Sequence, residues 1–311
     1  MHYIILSKRL RFCLSLCLLF GLAGGVHAAS ISEITPSHVY AQTLQIEKEV
    51  ELLRRHYKIT ARNPVTPVVF DIQSRHAWQK SHGILAKLNI FRRKNGMDGF
   101  SPVAVEPSTR MEPAKVWEQT QRILTELRII KKQLGVVGEI SPAAIVSGKQ
   151  KIDVFNKLNE ISYDLDALNG EGISPSHVYA EALRINEDIN AILRSTNTLD
   201  SAVPPARNIK VEPKDSLRVA FALMQEIQRM QRKLAIENTD FSVFLKKDAV
   251  VPSDVFNMIG LCLAELQPVK AKLGMNHHIT PPAEFHRGKT PAEVVQLLGY
   301  ATQKLHFVNI R

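Results

Sequence analysis

Apolar side chains recur along this chain at alternating spacings of three and four residues, in eight separate stretches. In the first stretch these positions are Val39, Ile46, Val50 and Leu53, and Thr43 completes the series. Residues at such spacings lie on one face of an α-helix. Each stretch therefore predicts an amphipathic helix of about 20 residues that packs against its neighbours through that face.

The eight stretches begin at regular intervals. Their first residues are at positions 36, 74, 113, 151, 175, 213, 252 and 291, and most of the intervals are 38 or 39 residues. Proline opens six of the eight units, and it suits the first turn of a helix because the N–H that it lacks has no partner there. Thr290-Pro291-Ala292-Glu293 also has the pattern of a capping box. The fold class that follows is all-α, with repeated units of one helix each.

A longer repeat relates the two halves of the chain. The sequence Pro-Ser-His-Val-Tyr-Ala occupies 36–41 and again 175–180, a shift of 139 residues, and the same shift relates 113–117 to 252–256. A tandem duplication of a four-helix unit explains both matches. It predicts two four-helix domains, 31–169 and 170–311, with a short glycine-containing link between them.

The other connectors are unusually long. They run to about 14–18 residues, more than a compact bundle normally needs, and they contain prolines and apolar residues. About 16 extended residues reach roughly 50 Å, whereas a helix of about 21 residues is only about 31 Å long. Each connector can therefore return along its helix, which permits parallel helices with all their starts at one end. An up-down bundle is the other arrangement that the sequence permits.

The first 28 residues have the features of a signal peptide. Three basic residues between positions 8 and 11 precede an apolar run from 12 to 26, and Val26-His27-Ala28 resembles a cleavage site with small residues. The apolar run is short for a membrane span of about 20 residues. We expect cleavage after Ala28, export with the periplasm favoured over secretion from the cell, and no stable membrane span after cleavage.

Removal of this segment lowers the formal net charge from +10 to +7 and leaves Cys262 as the one cysteine. Cys262 lies on an apolar stripe, so we predict a buried thiol rather than a nucleophile. The mildly basic balance is compatible with an anionic envelope component as a partner. No nucleic-acid-binding motif accompanies it, and we do not expect nucleic acid.

Candidate binding residues occupy two positions near the helix starts. The fifth residue of most units is aromatic, and the third is a histidine, a lysine or an acid. Acids at the third position cap a helix, but capping accounts less well for the histidines. If the helix starts are gathered, these side chains form a predicted binding rim, and packing against the connectors is the structural alternative. The predicted rim consists of His38, Tyr40, His76, Trp78, Trp117, His177 and Tyr179.

No catalytic, metal-binding or nucleotide-binding motif is present in the sequence. His277, His278 and His286 share one connector, but their spacing matches no usual pair of metal ligands. We therefore predict an exported, non-enzymatic helical-repeat protein that binds a partner protein or an anionic envelope component, with no cofactor, no metal site and no catalytic residues. The alternatives are a small-ligand or metal-binding protein that uses the helix starts, and a secreted enzyme with a dispersed site.

Overall fold

The computed structural model describes residues 34–60, 65, 71–100, 107–170, 172–207, 210–247, 249–282 and 284–309. The predicted signal peptide, 1–28, lies outside these ranges, as do parts of several connectors. The described residues form eight α-helices and a short 3-10 turn, Ser242–Lys246, with no β-strand. The helices are α1 (Pro36–His56), α2 (Ser74–Lys94), α3 (Pro113–Leu134), α4 (Lys151–Leu168), α5 (Pro175–Ser195), α6 (Pro213–Lys233), α7 (Pro252–Lys272) and α8 (Pro291–Phe307). The all-α prediction is confirmed.

The helices begin where the sequence pattern places them, and their stripes form the core. Each helix starts at the first residue of its unit. In α1 the side chains of Val39, Ile46, Val50 and Leu53 are at most 1% exposed, and Thr43 is fully buried with them. Burial of these apolar faces is the main force that holds such short amphipathic helices in place.

Glycines end several helices. Gly135, Gly170 and Gly274 have φ angles of 65°, 71° and 75°. This left-handed conformation closes the last helical turn, and glycine adopts it without a steric penalty from a β-carbon.

Each half of the chain forms a ring of four helices with the same neighbour order. In the first half, α1 and α2 each contact both α3 and α4, so that α1 and α2 lie diagonally opposite. In the second half, α5 and α6 each contact both α7 and α8. The two rings, called the first and second bundle below, therefore repeat one topology, as a tandem duplication predicts.

The helices within a bundle are parallel. Between α2 and α4, Lys80 donates to Asn159 (2.8 Å) and Lys87 forms an ion pair with Asp166 (2.7 Å), so both helices advance by seven residues in the same direction. Between α1 and α4, the equivalent pairs are Lys157–Glu47 (3.0 Å) and Asp164–Arg54 (3.1 Å). Of the two arrangements that the sequence permits, the structure adopts the parallel one.

Several ion pairs between neighbouring helices follow the rule of a parallel coiled coil. The seven positions of a heptad are labelled a to g, and positions a and d lie in the core. When two parallel helices are aligned, a residue at g in one helix pairs with the residue at e that lies five positions further along in the other. Such pairs join successive helices around the first bundle. They are Glu49–Lys131 (2.5 Å), Glu126–Arg92 (2.5 Å) and Asp164–Arg54 (3.1 Å). In the second bundle, Asp188 and Lys270 form the same pair at 2.8 Å.

The connectors return along the outside of the bundles. Between α3 and α4, the Ile140 carbonyl accepts a hydrogen bond from Gln45 (3.4 Å), and the Lys149 N–H donates to Ser37 Oγ (3.1 Å). The connector thus passes α1 from its middle to its start. Between α7 and α8, Pro281 and Lys289 make equivalent contacts with Arg184 and Ser176 of α5. The two helices that each connector joins lie diagonally opposite in their ring. Each connector therefore crosses the outer face of the helix between them, which is α1 in the first bundle and α5 in the second.

The two bundles meet through α2 and α7, which run antiparallel. A β-carbon at Gly83 would lie 3.4 Å from Phe256, and one at Gly260 would lie 3.6 Å from Gln79. Each bundle has its own apolar cluster, and Phe155 of α4 belongs to the cluster of the second bundle. The eight helices together form one compact unit. Division into two independently folding domains at residue 170 stays a prediction.

Candidate functional site

The repeated Pro-Ser-His-Val-Tyr-Ala sequence ties the first helix of each bundle to the fourth. In the first bundle, Ser37 Oγ accepts the backbone N–H of Lys149, just before α4, at 3.1 Å. In the second, Ser176 accepts the N–H of Lys289 at the same distance. The ammonium groups of these lysines then lie 4.5 Å from the ring centres of Tyr40 and Tyr179. The duplicated motif therefore has a structural role at both helix starts.

The histidines of the predicted rim cap their helices. Nδ1 of His38, His76 and His177 accepts the N–H of the residue before the helix, at 3.2, 3.0 and 3.2 Å. An accepting Nδ1 requires a neutral ring with its proton on Nε2. The interpretation that capping accounts poorly for these histidines is therefore wrong, since a neutral imidazole can take the place of the glutamate in a capping box.

Five of the seven residues of the predicted rim lie in two groups at the helix starts. His38, Tyr40 and Trp117 lie near the helix starts of the first bundle, at least partly accessible to solvent. His177 and Tyr179 lie at the starts of the second bundle, where the rings of Phe285 and His286 contact them. Because α2 and α7 are antiparallel, these groups are at different ends of the molecule.

The remaining two rim residues are buried in the interior. The exposed fraction of His76 is 0%, and that of Trp78 is 4%. His76 faces the second bundle, and Trp78 stacks on His82 at a ring distance of 5.7 Å. Neither side chain can contact a ligand unless the surrounding helices separate.

His76 belongs to a buried polar network at the joint between the bundles. Its Nε2 hydrogen-bonds to Glu265 of α7, which also accepts from Arg75 at 3.0 Å and from Gln231. Burial raises the pKa of Glu265, but hydrogen bonds from the neutral His76 ring and from Arg75, together with the charge of Arg75, outweigh this effect and lower the pKa below its usual value. Glu265 is thus an ionised carboxylate at neutral pH, and it links α2, α6 and α7.

Lys80 lies in the same joint, next to a small cleft between α2 and α7. Its ammonium group donates to Asn159 (2.8 Å) and lies 5.3 Å from the ring centre of Phe155. Burial, followed by the charge of Lys87, lowers the pKa of Lys80 to about 7. A lysine with such a pKa is a candidate functional group when it lines a cleft.

The size of this cleft limits what can bind beside Lys80. Its interior volume is about 20 Å³, which matches a single water molecule. Sites for small organic ligands are typically about 300–1,000 Å³. A dimple at the helix starts of the first bundle is smaller still, about 10 Å³. The joint is consequently a site for tight helix packing, and it has no room for a substrate of ordinary size.

Metal binding finds no support among the described side chains. They contain no cluster of three or more His, Cys, Asp or Glu that could hold a metal ion. Of the connector histidines, His278 lies 3.4 Å from Asp188, and His286 lies 3.4 Å from Glu284. Cys262 is fully buried, as its place on the stripe predicts.

The sequence reasoning missed Lys80, Lys87 and Glu265 because it followed only the a and d positions. All three occupy g positions, directly before a core residue of their helices. A search for charged residues at g and e would have selected them. The offset of five residues would have paired Glu49 with Lys131 and Glu126 with Arg92, and so would have identified neighbouring helices. Nothing in the sequence pairs His76 with Glu265, which is 189 residues away.

Solvent-exposed apolar and basic side chains concentrate at the helix ends and on the connectors. Val137, Leu199, Val203 and Ile145 are 93%, 86%, 72% and 58% exposed. The helix ends of the first bundle also carry exposed cations, namely Arg55, Lys58, Arg93, Lys94, Arg128 and Lys132. Among the described helices, none is long and apolar enough to cross a membrane. The chain matches no family model, no curated protein and no solved structure to which it was compared.

Proposed function

We infer that this is an exported, non-enzymatic binding protein whose ligand is a partner protein or an anionic component of the cell envelope. One observation carries the proposal. The clefts at the joint and at the helix starts hold about one water each, whereas apolar side chains of the connectors extend into solvent. This combination suits recognition across an outer surface, and large apolar groups exposed on a folded protein often mark such surfaces.

The two parallel bundles support this function as a rigid scaffold. Several of their interhelical ion pairs and the joint between them are buried, so the connectors lie on a frame that resists deformation. Connectors with exposed apolar residues can then contact a partner with little loss of conformational entropy on binding. Export to the envelope is part of the proposal and rests on the signal-like segment 1–28.

Affinity capture from gently solubilised envelope tests the proposal. The bait is the chain from residue 29 onwards, and its matched variant carries Val137→Ser, Leu199→Ser and Val203→Ser. We expect one component at near-equal stoichiometry with the native bait and at least tenfold less with the variant, measured by quantitative mass spectrometry. Equal recovery with both baits would exclude these connector residues, and no specific component with either bait would refute the partner-binding function.

Export is tested separately by the intact mass of the protein purified from the envelope fraction. A mass that begins at residue 29 agrees with cleavage after Ala28. A full-length chain confined to the cytoplasm would refute export.

A further inference from the structure

We propose that the C-terminal end of the first bundle binds the phosphate head groups of an anionic membrane surface. This basic end consists of Arg55, Lys58, Arg93, Lys94, Arg128 and Lys132, together with the apolar side chains of Tyr57, Ile129 and Val137. The inference rests on the proposed function, for which it specifies the envelope component and the surface that binds it.

The topology places these residues together. Because α1, α2, α3 and α4 are parallel, their last turns lie at the same end of the bundle. Tyr57, just after α1, donates to Asn95, just after α2, at 2.7 Å. Lys131 of α3 donates to the Gly138 carbonyl at 2.7 Å, which holds the connector that carries Val137 over the same end. Cations that are far apart in the sequence thus share one surface.

The cations of the basic end are available to a ligand because the acids in the ion pairs between the helices bind other residues. Glu49, Glu126 and Asp164 neutralise Lys131, Arg92 and Arg54 in the pairs between helices. Of the six exposed cations, Arg55, Lys58, Arg93, Arg128 and Lys132 form no ion pair with any described residue. A ligand anion can therefore approach these five cations without breaking an ion pair between described residues.

The charge balance of this end stays positive. Among the described residues of this end, the exposed acids are Asp98 and Glu139, and Glu51 is half-buried. The C-terminal ends of four parallel helices add about two negative charges in total. The six cations exceed these charges together, and the described connector and loop residues bring no further exposed cluster of acids to the end.

Apolar groups among the cations favour a membrane over a soluble phosphate compound. Val137 is 93% exposed, Tyr57 38% and Ile129 37%. A peripheral membrane protein combines basic residues, which attract anionic lipids, with aromatic and aliphatic side chains that enter the boundary between head groups and acyl chains. A site for one free phosphate would instead need a few converging donors in a pocket.

Flotation with lipid vesicles provides the test, and it uses the chain from residue 29 onwards. We expect binding to vesicles of 30% phosphatidylglycerol in phosphatidylcholine, as a test composition of roughly the anionic content that attracts polybasic segments. Binding should be weak on pure phosphatidylcholine. It should also fall steeply in high salt, since about 1 M salt shortens the screening length to about 3 Å.

The internal duplication supplies a matched control. The test variant is Arg55→Gln, Arg93→Gln and Lys132→Gln. The control is Arg194→Gln, Arg232→Gln and Lys272→Gln, which removes equal charge from exposed positions at the corresponding end of the second bundle. Each cation near an anionic surface contributes about fivefold to binding, so three contribute about 100-fold. We expect that loss in the test variant and less than threefold loss in the control.

Several outcomes would overturn the inference. Equal losses in both variants would show that only net charge matters, and displacement by millimolar glycerol phosphate would indicate a site for a single phosphate group. Absence of binding to the anionic vesicles would exclude an anionic membrane surface as the ligand of the basic end. If capture from the envelope still yields a stoichiometric protein partner, the proposed function stands and only this inference fails.

Discussion

Replacement of Lys270 by methionine tests how the buried pairs between helices stabilise each bundle. The ammonium group of Lys270 lies 2.8 Å from Asp188, and both side chains are fully buried. Thr280, on the returning connector, donates to the same carboxylate at 2.8 Å. Methionine keeps most of the volume of lysine and removes its charge, so the change leaves Asp188 with the Thr280 hydroxyl and with His278, whose Nε2 lies 3.4 Å away.

The expected loss is large because Asp188 stays buried. At 2.8 Å and an effective dielectric constant of about 20, the attraction between the two charges is about 6 kcal/mol. Desolvation offsets part of it in the native protein. Removal of one partner of a buried pair typically costs about 3–5 kcal/mol, because the other charge is left unpaired. We expect a loss of that size for Lys270→Met.

Urea unfolding followed by circular dichroism measures the effect. With a slope of about 2–3 kcal/mol per molar, the midpoint should fall by about 1–2 M. Lys272→Met, two residues further along α7 and exposed, should change the free energy of unfolding by less than about 0.5 kcal/mol. Asp188→Asn combined with Lys270→Met should recover at least half the loss, since no buried charge remains. A loss below 1 kcal/mol for Lys270→Met alone would refute the reasoning.

Three further predictions concern titratable groups. Burial and the charge of Lys94 lower the pKa of His177 to about 4. Below about pH 6.5 this histidine takes up a proton in the unfolded chain but not in the folded protein, so the stability of the fold falls between pH 6.5 and 4. His177→Gln, which keeps the capping acceptor, should remove about 2 kcal/mol of that fall between pH 7 and 4.5, and an unchanged pH dependence would contradict this. Burial is the main cause that lowers the pKa of Lys80 to about 7. Because the pKa of lysine in the unfolded chain is about 10.4, the stability of the fold should rise as the pH rises from 7 towards that value. Lys80→Met should abolish the corresponding rise in urea midpoints between pH 7 and 9.5. Burial raises the pKa of the Cys262 thiol, so a disulfide reagent should modify Cys262 only after unfolding in guanidinium; fast reaction of the native protein would show that the core around α7 opens.

Much of the fold follows from local patterns. The a and d positions of α1 to α8 determine which face is buried, and the capping residues fix the starts. Even α2, which begins weakly with Ala77 and Ser81, follows the rule, because both side chains are buried at 2% and 0% exposure. Such features depend on residues within one or two turns of each other, so the sequence displays them directly.

The direction of the helices depends on residues that the core pattern ignores. A stripe of apolar residues packs equally well in parallel and antiparallel bundles, and the length of the connectors permits both arrangements. The pairs Glu49–Lys131 and Glu126–Arg92 distinguish them, because only parallel neighbours bring g and e residues together at an offset of five.

The candidate binding surface was the least predictable part. His38 and His177 could be placed at helix starts, but the direction of α7 against α2 decides that they lie at different ends. That direction depends on Gly83, Gly260 and the network around Glu265, none of which forms a repeating pattern. The exposed cations of the basic end can be located in the sequence near the ends of the helices, where the helix dipole also favours them.

The parallel arrangement also constrains how this chain can fold. Most neighbouring helices are distant in sequence, although α2 and α3, like α6 and α7, are both consecutive and adjacent. Arg54 contacts a residue 110 positions later, and Lys87 one 79 positions later. Consecutive helices within a bundle are parallel, so no such pair can form an antiparallel hairpin and serve as a local nucleus. Contacts of long sequence separation slow folding, because the entropy of loop closure must be overcome before they form. The first ring cannot close until α4 is present, so during synthesis from the N-terminus the ring stays open until about residue 168 has been made.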